Sequence, residues 1–386
     1  MSSEFLDFYA QRTGAMVALL ERFVCLESPT HSKAHVDRLS EEVAALCEDL
    51  GAQITVYPRA EVGDLRLAVW NGDAPGRPIL LLAHLDTVWP VGTLETMPVR
   101  QEGGIFYGPG AVDMKGGVVV ALEAIRGLRD RGEFPARPIW LFLNSDEETG
   151  SRHSRSVIEE LARHAGLVLV MEPATEEEAL KTWRKGIARY TITLTGRASH
   201  AGNAPEAGIN AIIEAAHQAL ALHQLNDLPN GTSVSVTRIA GGMATNVIPP
   251  EATMHVDVRF LKASEAQRVD QAIRSLSPVL PGAQVAVSGE IDRGPMEHNE
   301  QMARTYAQAR AIGATLGMDV PQGGSGGASD GNFTAALGIP TLDGLGAAGT
   351  GLHAAHEQVI IRSLPRRAAL LARILCDWQM DEPLLP

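Results

Sequence analysis

Acids and histidines fall at a few short points of this chain where they could share metal ions. AHLDTV carries His84 and Asp86, GPGAVDMKGG carries Asp113, NSDEETG carries Glu147 and Glu148, MEP carries Glu172, and GTGLHAAHE carries His353 and His356. Three of these segments close apolar runs: PILLLAH (78–84), PIWLFLNSDEE (138–148) and LVLVMEP (167–173). Such runs suit strands covered on both faces, and in an open α/β sheet ligands bind beyond the carboxyl ends of the strands. Three strand ends that each deliver an imidazole or a carboxylate therefore converge on one place, which Asp113 and His353 can join from loops. Carboxylates crowded there would repel one another unless cations neutralised them. Two imidazoles and three carboxylates are a ligand set for two divalent ions with one carboxylate bridging. Nitrogen and oxygen donors without a thiolate favour two zinc ions, with cobalt or manganese as substitutes, and two histidines speak against calcium.

Each piece alone is weak. His84-x-Asp86 is ordinarily a hydrogen-bonded turn, Glu147-Glu148 a solvated helix start, Glu172 an exposed strand end, and His200, His353 or His356 a loop histidine. Joint placement carries the reading, together with Gly108, Gly110, Gly116 and Gly117, which free the backbone around Asp113.

The elements that must position these residues follow from periodicity. Residues 34–50 have helical apolar spacing and end at Gly51, and 116–132 reads as a helix between the first two strands. Strand, helix, strand in repetition argues for an α/β domain with a largely parallel sheet. From 182 to 293 the pattern becomes strand (186–195), helix (206–224), strand (232–240), strand (251–261), helix (264–277) and strand (284–290). That order is the ferredoxin-like α+β arrangement. The chain then returns to α/β patterns, with a strand near 339–345 and a last helix near 363–379. The expected organisation is a discontinuous catalytic, metal-binding domain of 1–181 plus 294–386 with a module of 182–293 inserted at a loop.

Composition limits the partners. The chain has 386 residues, 33 Lys+Arg against 46 Asp+Glu and a formal charge of −13, an excess that repels phosphate backbones and anionic lipid. No nucleic acid and no membrane partner is expected. Cys25, Cys47 and Cys376 lack C-x-x-C spacing, which favours a reducing compartment. Residues 1–23 read as one amphipathic helix rather than a signal peptide, and no apolar run approaches a membrane span. The expectation is a soluble cytoplasmic protein.

At this point the segments resemble a known family. AHLDTV, GPGAVDMKGG, NSDEETGS, MEP, GRASHAG, TNVIPPEATMHVDVR, GGASDGNF and GLHAAHE, in this order and over nearly the whole chain, resemble the aminoacylase and glutamate carboxypeptidase family of dinuclear zinc hydrolases. That group also holds acetylornithine deacetylase and succinyl-diaminopimelate desuccinylase, and within it the chain looks most like the folate-hydrolysing glutamate carboxypeptidases. The resemblance implies that His84 and Glu172 bind one zinc, Glu148 and His353 the other, and Asp113 bridges them. Asp86 would orient His84, Glu147 would be the general base, and the peptide bond after Asp113 would be cis. Spacing to Glu357 favours His353 as the last ligand, with His356 as the substitute.

The inserted module would then be a lid and dimerisation domain. His200 of GRASHAG would stabilise the tetrahedral oxyanion, often from the other subunit of a homodimer, with Asn246 as its companion in substrate binding. In EATMHVDVRF, His255, Asp257 and Arg259 share one face by alternation; plain solvent exposure suffices for the first two, and the resemblance gives Arg259 a substrate carboxylate. GGSGGASDGNF (323–333) lacks the Lys-Ser/Thr of a phosphate loop, and its backbone around Gly327 and Ser329 could hold a substrate α-carboxylate. Lys185 stays outside the catalytic set. The function implied is hydrolysis of an amide bond that releases a C-terminal glutamate or similar amino acid from a small N-acyl or peptide substrate. An N-acyl-amino-acid deacylase with the same site is the alternative. A dimeric binding protein without catalysis would predict substitution among the ligands or the base, and all are present. Ser199 beside His200 lacks the glycines of a nucleophile elbow.

Overall fold

Leucine-rich and β-branched runs pair into the sheet that the chemistry needs. In the computed structural model, which describes residues 2–380, the strands are β1 (Gln53–Tyr57), β2 (Leu65–Trp70), β3 (Ile79–His84), β4 (Ile139–Asn144) and β5 (Leu167–Val170). They lie in the order β1-β2-β4-β3-β5, followed by a short strand at Thr341–Leu342. β4, β3, β5 and the short strand run parallel, and all six residues of β3 are buried. The carboxyl ends of β3, β4 and β5 therefore sit side by side, delivering His84, the turn with Glu147 and Glu148, and Glu172.

β1 and β2 join antiparallel at the edge, a pair absent from the sequence-based expectation. QITVY leaves most of its side chains exposed or half-buried, so no buried apolar run marks it. The N-terminal segment also differs: it forms two helices, α1 (Ser2–Ala10) and α2 (Thr13–Cys25). Arg12 at the break pairs with Glu123 and Asp130, a tertiary demand that local periodicity does not reveal. Helix α3 (Lys33–Asp49) follows, α4 (Gly116–Asp130) packs on β3, and α5 (Arg155–His164) precedes β5.

The chain divides into two compact units, one of which comprises Trp183–Glu297 with Ser325–Ala328. Within it, β6 (Gly186–Thr195), β7 (Ser233–Gly241), β8 (Glu251–Phe260) and β9 (Gln284–Arg293) form an antiparallel sheet in the order β7-β8-β6-β9. That is the ferredoxin-like order. β8 alternates strictly, and Met254, Val256, Val258 and Phe260 enter a core shared with α6 (Ala211–His223) and α7 (Ala263–Arg274). α6 begins at 211 rather than 206, because the Asn210 side chain caps the Ile212 and Ile213 amides. Arg184 and Met296 exchange backbone hydrogen bonds where the chain enters and leaves this unit, so its end lies beyond 293.

Close backbone packing brings Asp113 to Glu172. A Cβ on Gly117, in the first turn of α4, would lie 1.9 Å from the Met171 carbonyl oxygen just past β5. Alanine favours helix over glycine by about 1 kcal/mol, but this contact is with backbone, which cannot swing aside. Gly117→Ala should therefore lower stability by about 2 kcal/mol in chemical denaturation, and an unchanged or raised midpoint would show that the helix start can shift.

Candidate metal centre

Each ligand candidate is aimed by its own local device. β4 ends at Asn144, whose side-chain oxygen accepts from the Ser145 and Asp146 amides while its amide nitrogen donates to Asp330 and Ser151. Asp146 accepts from the Ser154 hydroxyl and the His153 amide. This closes the tight turn that carries Glu147 and Glu148. Asp86, fully buried, accepts from the amides of Glu147 (3.2 Å) and Glu148 (3.1 Å) and from the Thr30 hydroxyl (2.7 Å).

His84 Nδ1 lies 3.0 Å from the Asp86 carbonyl oxygen and 3.5 Å from its carboxylate. The main chain, more than the side chain, thus takes the ring proton, which leaves Nε2 as the donor to an ion. The Asp86 carboxylate chiefly fixes the backbone of the two glutamates.

Asp113 is placed by a residue whose role sequence reasoning missed. Buried Glu357 accepts from the amides of Gly110 (2.8 Å), Val112 (2.9 Å) and Asp113 (3.1 Å) and from Trp89 Nε1 (2.8 Å). Only a carboxylate, an acceptor at both oxygens, satisfies four converging donors. In the sequence Glu357 served only as a spacing mark for His353, and nothing local announced its partners some 245 residues away. The Asp113–Met114 peptide is cis.

The result is two three-residue clusters that share Asp113. His84, Asp113 and Glu172 form one and Asp113, Glu148 and His353 the other, with ligand atoms in each within 4.8 Å of one another. Asp113 turns Oδ1 to His84 Nε2 (3.2 Å) and Oδ2 to His353 Nε2 (3.3 Å). His84 Nε2 is also 3.4 Å from Glu172, and His353 Nε2 3.1 Å from Glu148. His353 sits at φ 58°, a left-handed conformation that non-glycine residues adopt where the surroundings enforce it. His356 is exposed and in neither cluster.

The electrostatics ask for positive charge. Burial raises Glu148, and the Asp113 charge adds to this. Burial also opposes ionisation of Asp113, yet hydrogen bonds from His353 and His84 hold it well below the usual carboxylate range. Hydrogen bonds to Asp113 and Glu148 push His353 up to about 10. Burial works against charge on His84, but Asp113, Asp86 and Glu172 raise it well above its ordinary value. Glu148 Oε1 is buried without a hydrogen-bond partner. Protons on the imidazoles thus stand where divalent ions would, and the donor set fits two of them.

The remaining candidates lie elsewhere. His200, Asn246, Arg259 and Gly327 belong to the second unit. There a two-rung ladder pairs Ser199–His200 with Val247–Ile248, and the Ala201 amide donates to the Asn246 carbonyl, so His200 and Asn246 are neighbours. Arg259 forks onto Asp257 at 2.7 and 3.1 Å. The exposed Gly327 amide donates to Ser325 Oγ. Ser329 corrects the expectation: its side chain is fully buried, its hydroxyl donates to Asp343, and its amide donates to Asn332. Polar demand inside the fold, not substrate, occupies it.

Comparisons with known proteins find relatives along most of the chain. The peptidase family M20/M25/M40 matches residues 80–377. Carboxypeptidase G2 of Pseudomonas sp. (strain RS-16) is 33% identical over 375 residues, covering 94% of this chain and 89% of that protein. A succinyl-diaminopimelate desuccinylase of Delftia acidovorans is 28% identical over 335 residues, covering 81% of this chain and 84% of its own. The crystal structure of aminopeptidase PepT from Bacillus cereus shares the fold, with a TM-score of 0.78 at 21% identity over 94% of this chain and 98% of that one.

Two measurements test the centre. Glu357→Gln turns an amide donor toward N–H groups, so divalent-cation affinity by calorimetry should fall at least about tenfold with the fold retained; undiminished affinity would leave Glu357 purely structural. With both imidazoles raised and Glu148 pushed up to about 7, cation binding at neutral pH should release about two to three protons per chain, read from calorimetry in buffers of different ionisation heat. A count near zero would mean that the histidines enter neutral.

Proposed function

The chain belongs to the peptidase family M20/M25/M40, and from that membership we propose that it hydrolyses an amide bond, releasing a C-terminal glutamate or similar amino acid from an N-acyl or peptide substrate. The observation that carries this reading is the division of Asp113, one oxygen toward His84 and the other toward His353. In this reading His84 and Glu172 would hold one zinc and Glu148 and His353 a second, with Asp113 shared between them, and cobalt or manganese could replace zinc. When bound, the two ions polarise the scissile carbonyl and acidify the attacking water.

Glu147 is half-buried on the turn fixed by Asp86, beside a ligand without being one. It takes the proton of the attacking water and returns it to the leaving amine. His200 Nδ1 accepts from the Gly202 and Asn203 amides at 3.1 Å, so its ring proton sits on Nε2, the donor needed for the tetrahedral oxyanion. Asn246 assists it in binding substrate. Arg259 recognises the substrate carboxylate, which must share the guanidinium with Asp257.

The likeness to carboxypeptidase G2 supports the carboxypeptidase reading, and the likeness to succinyl-diaminopimelate desuccinylases keeps an N-acyl-amino-acid deacylase as the alternative. The second unit is read as a lid and homodimerisation module. Leu220 on α6, Ile239 on β7 and Met243 just beyond it are 67%, 49% and 83% exposed, an apolar set suited to a second copy. Three free cysteines suit a reducing cytoplasm, and among the described residues no helix is long and apolar enough to cross a membrane.

Purified protein should carry about two zinc per chain, sediment as a dimer, and lose amide hydrolysis to a chelator with recovery on zinc addition. Glu147→Gln should keep both ions and lose about a thousandfold or more in kcat; near-normal turnover would remove it from the role of base. The faster class in a panel of N-acyl-glutamates, N-acetyl amino acids and dipeptides decides between carboxypeptidase and deacylase.

A further inference from the structure

The turn that carries Glu147 and Glu148 has two feet, Asn144 before it and Ser151 after it, and one carboxylate from far along the chain grips both. Asp330 Oδ2 accepts from the Asn144 side-chain amide at 2.6 Å, and Oδ1 accepts from the Ser151 hydroxyl at 2.5 Å. It lies 186 and 179 residues beyond them and is 5% exposed. An ionised carboxylate can only accept, so Asp330 decides which way the Asn144 amide faces and leaves its oxygen to the Ser145 and Asp146 amides. On the far foot, Gly150 and Ser151 both take left-handed backbone, at φ 97° and 55°. A serine keeps that conformation where its surroundings enforce it. Here its amide donates to the Asp146 carbonyl and its hydroxyl to Asp330.

Asp330 is itself held from outside the turn. The Ser329 hydroxyl before it donates to Asp343 and accepts from the Gly331 amide after it. A Cβ on Gly331 would stand 2.9 Å from Val170 Cγ2 at the end of β5. The short helix that follows, Gly331–Ala336, sets the centre of the Phe333 ring 4.8 Å from the Arg155 guanidinium carbon of α5. Asp86 holds the middle of the turn through the Glu147 and Glu148 amides, and Asp330 adds the two ends.

The two glutamates differ in what fixes their carboxylates. Glu148 belongs to a ligand cluster, where an ion would hold it, whereas Glu147 lies in neither cluster and its aim is set by protein alone. We infer that Asp330 is a positioning residue for Glu147: by gripping both ends of the turn it aims the base for proton transfer, and it takes no part in binding metal. The inference rests on the amidohydrolase reading and names what the base of that reading depends on.

Kinetics and metal binding of variants test it together. Asp330→Ala should lose at least about a hundredfold in kcat on the fastest substrate of the panel, the scale of a small misplacement of a reacting group. Its KM, and its zinc affinity by calorimetry, should stay within about threefold of the wild type. Asp330→Asn, which can still accept from Asn144 and can donate to the Ser151 oxygen, should return to within about tenfold of wild-type kcat. Ser151→Gly removes one grip at a φ that glycine adopts freely, so it should fold and lose at least about tenfold in kcat even if Asp330→Ala does not fold. On Glu147→Gln, either change should alter the residual rate by less than about threefold, because the group being positioned is gone. A zinc affinity that falls in step with kcat, or a full further loss on Glu147→Gln, would overturn the assignment. Unchanged kcat in Ser151→Gly and Asp330→Ala, with hydrolysis by the wild type chelator-sensitive, would overturn it and leave the amidohydrolase reading intact. Absence of chelator-sensitive hydrolysis of the whole panel by the wild type would overturn that reading and the assignment with it.

Discussion

Asp113, Glu148 and Glu172 bring three carboxylates into one largely desolvated space, with ligand atoms in each cluster no more than 4.8 Å apart. At that separation and an effective dielectric near 20, Asp113 is repelled by Glu172 and by Glu148 by about 3 kcal/mol each. Folding alone has no reason to assemble such a group. Positive charge must be available to it, as protons on His84 and His353 in the metal-free chain or as divalent ions. The raised imidazoles and the depressed Asp113 are two faces of one constraint: the site is built around a charge that the side chains do not supply in full.

Holding that arrangement falls to a second set of carboxylates that never needs an ion. Asp86 and Glu357 are buried, and main-chain amides together with one hydroxyl and one indole satisfy them. Each fixes backbone rather than a neighbouring charge. Asp86 ties the end of β3 to the turn after β4, and Glu357 ties the loop of Asp113 to the segment of His353. Since His353 stands four residues before Glu357, the same anchor sets both the shared carboxylate and the last imidazole. The left-handed φ of His353 is tolerated because the segment is fastened just beyond it.

What was legible in the sequence was what local pattern encodes. Apolar runs ending in acids gave β3, β4 and β5 and the convergence of their ends, and strict alternation in EATMHVDVRF gave the buried face of β8. What escaped depends on contacts distant in sequence. β1 is too exposed to read as a core strand. The break between α1 and α2 comes from Arg12 reaching Glu123 and Asp130. Glu357 looks like any loop acid until Gly110, Val112 and Trp89 fold onto it. Ser329 fails the other way: a glycine-rich motif suggests an exposed, ligand-holding loop, whereas Asp343, buried 14 residues on, takes its hydroxyl.

The anchors also explain how the loops beside the centre can vary while the centre itself is held. Trp89 donates to the same Glu357 that holds Asp113, so the 87–91 segment shares its support with Asp113. Val88 and Val91, in contrast, spend no side-chain hydrogen bond on that support, having none to offer. Their side chains can change in size or charge while the backbone beneath them stays fixed by Glu27, Glu357 and Thr87. Residues on these loops can therefore differ without disturbing the centre, carried as they are by a rigid scaffold. That separation reduces to which atoms hydrogen-bond and which only fill space.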